Sequence, residues 1–93
     1  MLRATAAVLA EMRVEDRLLA RVLQLAEGFG TATPRGAVLD LGLTHAQWGL
    51  LVGAARESVT LALGRLRSRG ELIVEGRTIT VPWEVVRRGQ PGV

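Results

Sequence analysis

Chemistry in this chain rests on arginine and carboxylate side chains, because the other reactive types are nearly absent. All twelve basic residues are Arg, there is no Cys, and His45 is the only imidazole. Without thiolates no disulfide, iron–sulfur cluster or thiolate zinc site can form. His45 has no carboxylate at ligand spacing to complete a metal site. Glu11, Glu15 and Asp16 are the one acidic group that invites a metal reading. Helix-start charge explains them with fewer assumptions, since anionic side chains favour a helix N-terminus. No nucleophile, base and orienting group come together, and no glycine-rich phosphate loop follows a strand. Neither catalysis nor a cofactor is expected. What remains is the adjacent pair Arg56 and Glu57. A guanidinium offers two donors to guanine O6 and N7, and a carboxylate accepts from the cytosine N4 amine.

Such a pair is useful only if a rigid element holds it outward. It stands at the start of a helix expected over 55–69, whose apolar positions Val59, Ala62, Leu63 and Leu66 keep a 3-4-3 spacing before Gly70 closes it. Upstream, Thr44-His45-Ala46-Gln47 fits a capping box. The helix it opens runs through Trp48, Leu51 and Val52 to Gly53, with Trp48 in the core and His45 exposed in the first turn. Gly49 and Gly64 each weaken their helices by about 1 kcal/mol relative to Ala, and Gly49 suggests a close helix–helix approach.

The elements around this pair follow from periodicity and turn residues. Glu15 and Asp16 begin an amphipathic helix with Leu18, Val22, Leu25 and Phe29 on one face and Leu19, Leu23 and Ala26 beside them. Gly28 and Gly30 mark its end. Residues 31–36 read as a turn-rich loop around Pro34, and 37–41 as one short strand. Residues 72–74 and 78–81 are β-rich and joined by Glu75-Gly76-Arg77, a hairpin with Gly in the turn. Pro82-Trp83-Glu84 starts a last short helix through Arg88.

Together these give a mainly α fold with a small β-hairpin wing, an α+β winged helix-turn-helix with a three-helix core. The domain covers 14–88, preceded by a segment 1–13 and followed by a flexible tail 89–93. Leu2, Ala6, Leu9 and Met12 form a loose stripe in that first segment, too short to stand as a helix in water. Net charge is only +3, but Arg65, Arg67, Arg69 and Arg77 crowd one stretch. The first three read as a solvated basic face with phosphate steering as a secondary role. No apolar run is long enough to span a bilayer, and a cytoplasmic protein without membrane contact is expected.

The run Leu43-Thr44, then Leu51-Val52-Gly53-Ala54-Ala55-Arg56-Glu57-Ser58-Val59, Ala62-Leu63, Leu66-Arg67 and Gly70 resembles the C-terminal DNA-binding domain of the CRP/FNR superfamily of bacterial transcription regulators. The later Gly76-Arg77-Thr78-Ile79-Thr80-Val81 is similar to that family's wing. The resemblance extends over about 16–86 and implies sequence-specific binding to double-stranded DNA, without a cofactor in this domain. It implies that Arg56 contacts a guanine and Glu57 a cytosine, and that Thr44 and Ser58 face phosphates, with Arg77 a further phosphate contact from the wing. Thr60 and Leu61 belong to the same reading surface. A second copy of the chain and RNA polymerase are the candidate partners it adds, and residues 1–13 would correspond to the end of a dimerisation helix.

Departures from the family pattern bear on specificity. Leu61 stands where many members carry a third base-reading Arg; it cannot donate a hydrogen bond, though it could touch a thymine methyl. Ala55 stands where Ser is frequent, which removes a helix cap at a cost of ~1 kcal/mol. Family members usually carry a sensor domain ahead of this one, whereas only residues 1–13 stand before it here, so the chain reads either as a fragment of a longer regulator or as a stand-alone domain. The rival reading is a protein-interaction or dimerisation winged helix that uses Leu61 and its neighbours, since winged helices host both roles.

Overall fold

The computed structural model describes residues 13–89. The first segment through residue 12 and the tail from residue 90, with the dimerisation-helix and flexible-tail expectations attached to them, lie outside the described residues. Helix α1 (Val14–Phe29) carries Glu15 and Asp16 in its first turn and buries Leu18, Val22 and Ala26. Phe29 has the expected angular position but is 68% exposed. It is the last helical residue, and the chain turns off at Gly30.

The region expected as a loop is a β-hairpin. Strand β1 (Thr31–Thr33) pairs with β2 (Gly36–Leu39) in the register Thr31↔Val38, Ala32↔Ala37, Thr33↔Gly36. Pro34 and Arg35 form the two-residue turn, and the Thr33 hydroxyl donates to the Gly36 carbonyl at 2.8 Å. The indole N–H of Trp83 donates to the Thr33 carbonyl at 2.8 Å from the far end of the chain. Turn residues dominated the sequence pattern here, whereas strand formation depends on a partner that local sequence does not display.

After helices α2 (His45–Val52) and α3 (Arg56–Ser68) come β3 (Ile73–Glu75), β4 (Thr78–Val81) and the short α4 (Trp83–Arg88). The sheet order is β1-β2-β4-β3, so the wing hairpin docks on β2 instead of standing alone. Ala37 lies opposite Val81 and Leu39 opposite Ile79. All four are buried, because residues two apart on a strand share a face. They meet Leu18 and Val22 of α1, Trp48 and Val52 of α2, and Val59, Ala62, Leu63 and Leu66 of α3 in one core. Trp48 is a core residue, 2% exposed.

Between α2 and α3 the chain makes the sharp turn of a helix-turn-helix. The capping box forms: the Gln47 amide donates to Thr44 Oγ1 at 3.1 Å and the Thr44 amide to Gln47 Oε1 at 2.8 Å. At the other end Gly53 adopts φ 69°, a left-handed conformation natural to glycine, and the Ala54 amide donates to the Gly49 carbonyl at 2.9 Å. A Cβ on Gly49 would collide with the Ala54 carbonyl oxygen. Gly49 therefore admits the turn backbone, and the expected helix–helix approach is not the reason for it.

Helix α1 braces both central helices with opposite charges. Arg17 Nε donates to the Val52 carbonyl at 3.0 Å and Arg21 Nη2 to the Leu51 carbonyl at 3.5 Å, cations placed at the carbonyl end of α2. Glu15, with its side chain only 5% exposed, accepts from Arg65 at 3.0 Å and lies 4.0 Å from Arg69 and 3.8 Å from Arg13. The hydrogen bond from Arg65, followed by the charges of Arg65, Arg69 and Arg13, holds its carboxyl below the ordinary Glu value against burial, which pushes it up. Arg65, Arg67 and Arg69 are all exposed, as a solvated basic face requires. Arg65 and Arg69 are also drawn to a buried carboxylate, which lies fifty residues upstream of Arg65.

Candidate nucleic-acid interface

The core-facing row Val59, Ala62, Leu63 and Leu66 decides which side of α3 is left for function. Arg56, Glu57, Thr60 and Leu61 fall on the opposite side and are exposed. They line an open groove together with Leu43, Thr44 and His45 from the start of α2 and Arg77 from the wing. Six of the seven residues singled out in the sequence share this surface. The seventh, Ser58, is half-buried and opens on the other flank of α3, beside Glu15 and Arg65.

The bonds within the groove are long or exposed. Arg56 and Glu57 are 3.5 Å apart with side chains 69% and 74% exposed. An exposed ion pair contributes only ~0–1 kcal/mol, so it opens readily when better partners arrive. Arg77 reaches back to the Gly42 carbonyl at a long 3.4 Å, and Thr78 Oγ1 donates to Asp40 at 3.3 Å. These two bonds hold the wing turn beside the start of α2. Leu61 is 61% exposed in the same groove and also borders the hollow beside Ser58, Glu15 and Arg65.

His45 was the residue that sequence reasoning undervalued. It is half-buried, and its Nδ1 lies 2.7 Å from Thr60 Oγ1 on α3. Its position directly after the Thr44 cap was the available signal, because the first helical residue projects toward whatever packs on that end. Among the described residues no group of three or more His, Cys, Asp or Glu could hold a metal ion, and no helix is long and apolar enough to cross a membrane.

Two helices joined by a glycine turn, with a hairpin lying beside the exposed helix start, define a winged helix-turn-helix. Residues 16–83 match the Crp-like helix-turn-helix domain, and the chain belongs to that family. It is 34% identical over 73 residues to the global nitrogen regulator of Synechococcus elongatus, which covers 78% of this chain and 33% of that protein. It is 35% identical over 68 residues to the CRP-like cAMP-activated global transcriptional regulator of Mycobacterium tuberculosis, covering 73% and 30% respectively. The chain thus spans about a third of the length of these relatives. Among solved structures it superposes on a CooA mutant from Carboxydothermus hydrogenoformans with TM-score 0.75 and 25% identity, over 96% of this chain and 42% of that one. A transcriptional regulator of the CRP/FNR family from Thermus thermophilus gives TM-score 0.69 and 27% identity, over 85% and 43%.

Proposed function

We propose that this domain binds double-stranded DNA sequence-specifically as part of transcription regulation, with α3 in the major groove. The observation that carries the proposal is the shared groove. Arg56 and Glu57 stand exposed at the start of α3 and share one groove with Thr44 and Arg77. Arg56 reads guanine O6 and N7, and Glu57 accepts from the cytosine N4 amine. Thr44 and Arg77 meet phosphates and set register without carrying sequence information. Leu61 replaces a hydrogen-bonding reader with an apolar one and shifts preference toward a thymine methyl. Ser58 serves as a phosphate contact from the flank of the helix, and Thr60 belongs to the reading surface. A homodimer would place two such helices on inverted half-sites about one helical turn apart, and contact with RNA polymerase and a cytoplasmic location accompany this reading.

The test is selection of bound duplexes from a random pool with wild type and Arg56→Ala side by side. Wild type should enrich a defined site, and Arg56→Ala should lose ~1–3 kcal/mol of discrimination at one G·C position. Identical pools from the two proteins would remove Arg56 from readout. The exposure of Leu61 also fits a protein-binding face; Leu61→Glu that abolishes self-association while leaving duplex selection intact would favour that role for it.

A further inference from the structure

We infer that His45 and Thr60 form a clasp that fixes the register between the phosphate-facing start of α2 and the base-facing start of α3, making both positioning residues for duplex recognition. The inference rests on the DNA reading proposed above. His45 is the first residue of α2, directly after the Thr44 cap, and Thr60 lies one turn beyond Arg56. Thr60 Oγ1 donates to the Arg56 carbonyl at 3.1 Å. A hydroxyl has one proton, so with that proton on Arg56 the bond of 2.7 Å to the imidazole is donated by His45 Nδ1–H. The relay runs from His45 to Thr60 to the backbone of Arg56, crossing from one helix start to the other.

Two features explain why a clasp is needed at this point. Ala55 occupies the N-cap of α3 and supplies no side-chain bond, so the first turn lacks the usual restraint on fraying. A β-branched residue with its hydroxyl bonded back to the carbonyl four positions earlier is also unhelpful within a helix. Thr60 gains a purpose once its oxygen receives His45. Thr60 and Arg56 are exposed and His45 is half-buried, so water can replace the lost bonds at small cost to folding. What disappears with the clasp is the fixed angle between Thr44 on a phosphate and Arg56 on a base.

The experiment compares wild type, Thr60→Val, His45→Ala, the double variant and His45→Asn, whose amide can occupy the position of Nδ1. Each is titrated at one salt concentration against the duplex that the wild type enriches and against a scrambled duplex. The ratio of the two affinities should fall about tenfold in each single variant, the size of one hydrogen bond, and no further in the double variant. The melting temperature should hold steady, and His45→Asn should retain the ratio within about twofold. A long-range proton–nitrogen spectrum of the free wild type should show the Nδ1–H tautomer. Unchanged ratios in both single variants or additive losses in the double variant each overturn the clasp, and an Nε2–H tautomer overturns its relay to the Arg56 carbonyl, while the DNA reading stays in place. If the wild type enriches no duplex, the DNA reading fails and takes this inference with it.

Discussion

The two ends of α3 are held by different means. At its rear, Leu66 is fully buried, Arg65 and Arg69 converge on Glu15, and the Glu71 amide donates to the Leu66 carbonyl at 2.9 Å. At its front the N-cap is an alanine without a side-chain bond, and the charged ends of Arg56 and Glu57 pair with each other across 3.5 Å of solvent-exposed surface. On the proposed DNA reading, folding and base recognition occupy separate surfaces of one helix. The rear is anchored from inside by α1, which also holds the carbonyl end of α2 through Arg17. That arrangement lets the front present polar groups outward without having to stabilise the domain.

If that division holds, damage behind the helix should cost stability and damage in front should cost selectivity. Leu66→Ala should have the largest effect, destabilising the domain by about 2–5 kcal/mol because it leaves a cavity where α3 meets the core. For a domain whose total stability is on the order of 5–15 kcal/mol, denaturant unfolding should show a large drop in midpoint. A midpoint close to wild type would mean that the rear is not the anchor. Gly49→Ala should come next, at about 1–3 kcal/mol, since the added Cβ meets the Ala54 backbone and the turn must shift. Because that turn sets the angle between α2 and α3, selectivity should fall with stability. A melting curve and duplex titration that both match wild type would show that the turn relaxes freely.

The front of the molecule was more legible in the sequence than the rear. Thr44, Gln47, Gly53, Arg56 and Glu57 act through local rules, a cap, a left-handed turn and a helix start, and each sits within a few residues of its partners. Helical spacing likewise placed Val59, Ala62, Leu63 and Leu66 inside and Leu61 outside. The Glu15–Arg65 bond spans fifty residues, and nothing in either local pattern announces it; Glu15 looked like any acidic residue in a first turn. Strand β1 was missed for a related reason, because three residues ending at a proline turn become a strand only when β2 lies alongside. His45 falls between these cases. Its place at the start of α2 was readable, whereas its partner on α3 required the turn to be folded.

Acid should act on the rear through Glu15, which sharpens the contrast further. The folded pKa of Glu15 is lowered relative to the unfolded chain, so the stability it contributes is present above the ordinary value of 4.5 and lost as pH falls through the lowered folded value. Glu15→Gln should flatten the dependence of melting temperature on pH below 4.5 while duplex selectivity at neutral pH stays unchanged. An undiminished acid dependence in that variant would locate the titrating group elsewhere.

The smallest effect expected is a gain. The Ala55 backbone already has the extended geometry of a cap, φ −69° and ψ 155°, so Ala55→Ser needs only a hydroxyl turned toward the free amides of the first turn of α3. It should stabilise the domain by ~1 kcal/mol, a rise of about 4–8 °C in melting temperature for a domain of this size. Placed on Thr60→Val, the same substitution separates two kinds of restraint. A cap stops the first turn of α3 from fraying, but it does not tie that turn to α2. Ala55→Ser should therefore raise the melting temperature of Thr60→Val without returning its selectivity. Recovery of both would show that the front of α3 needs only a better helix start, and that its angle to α2 is set entirely from behind.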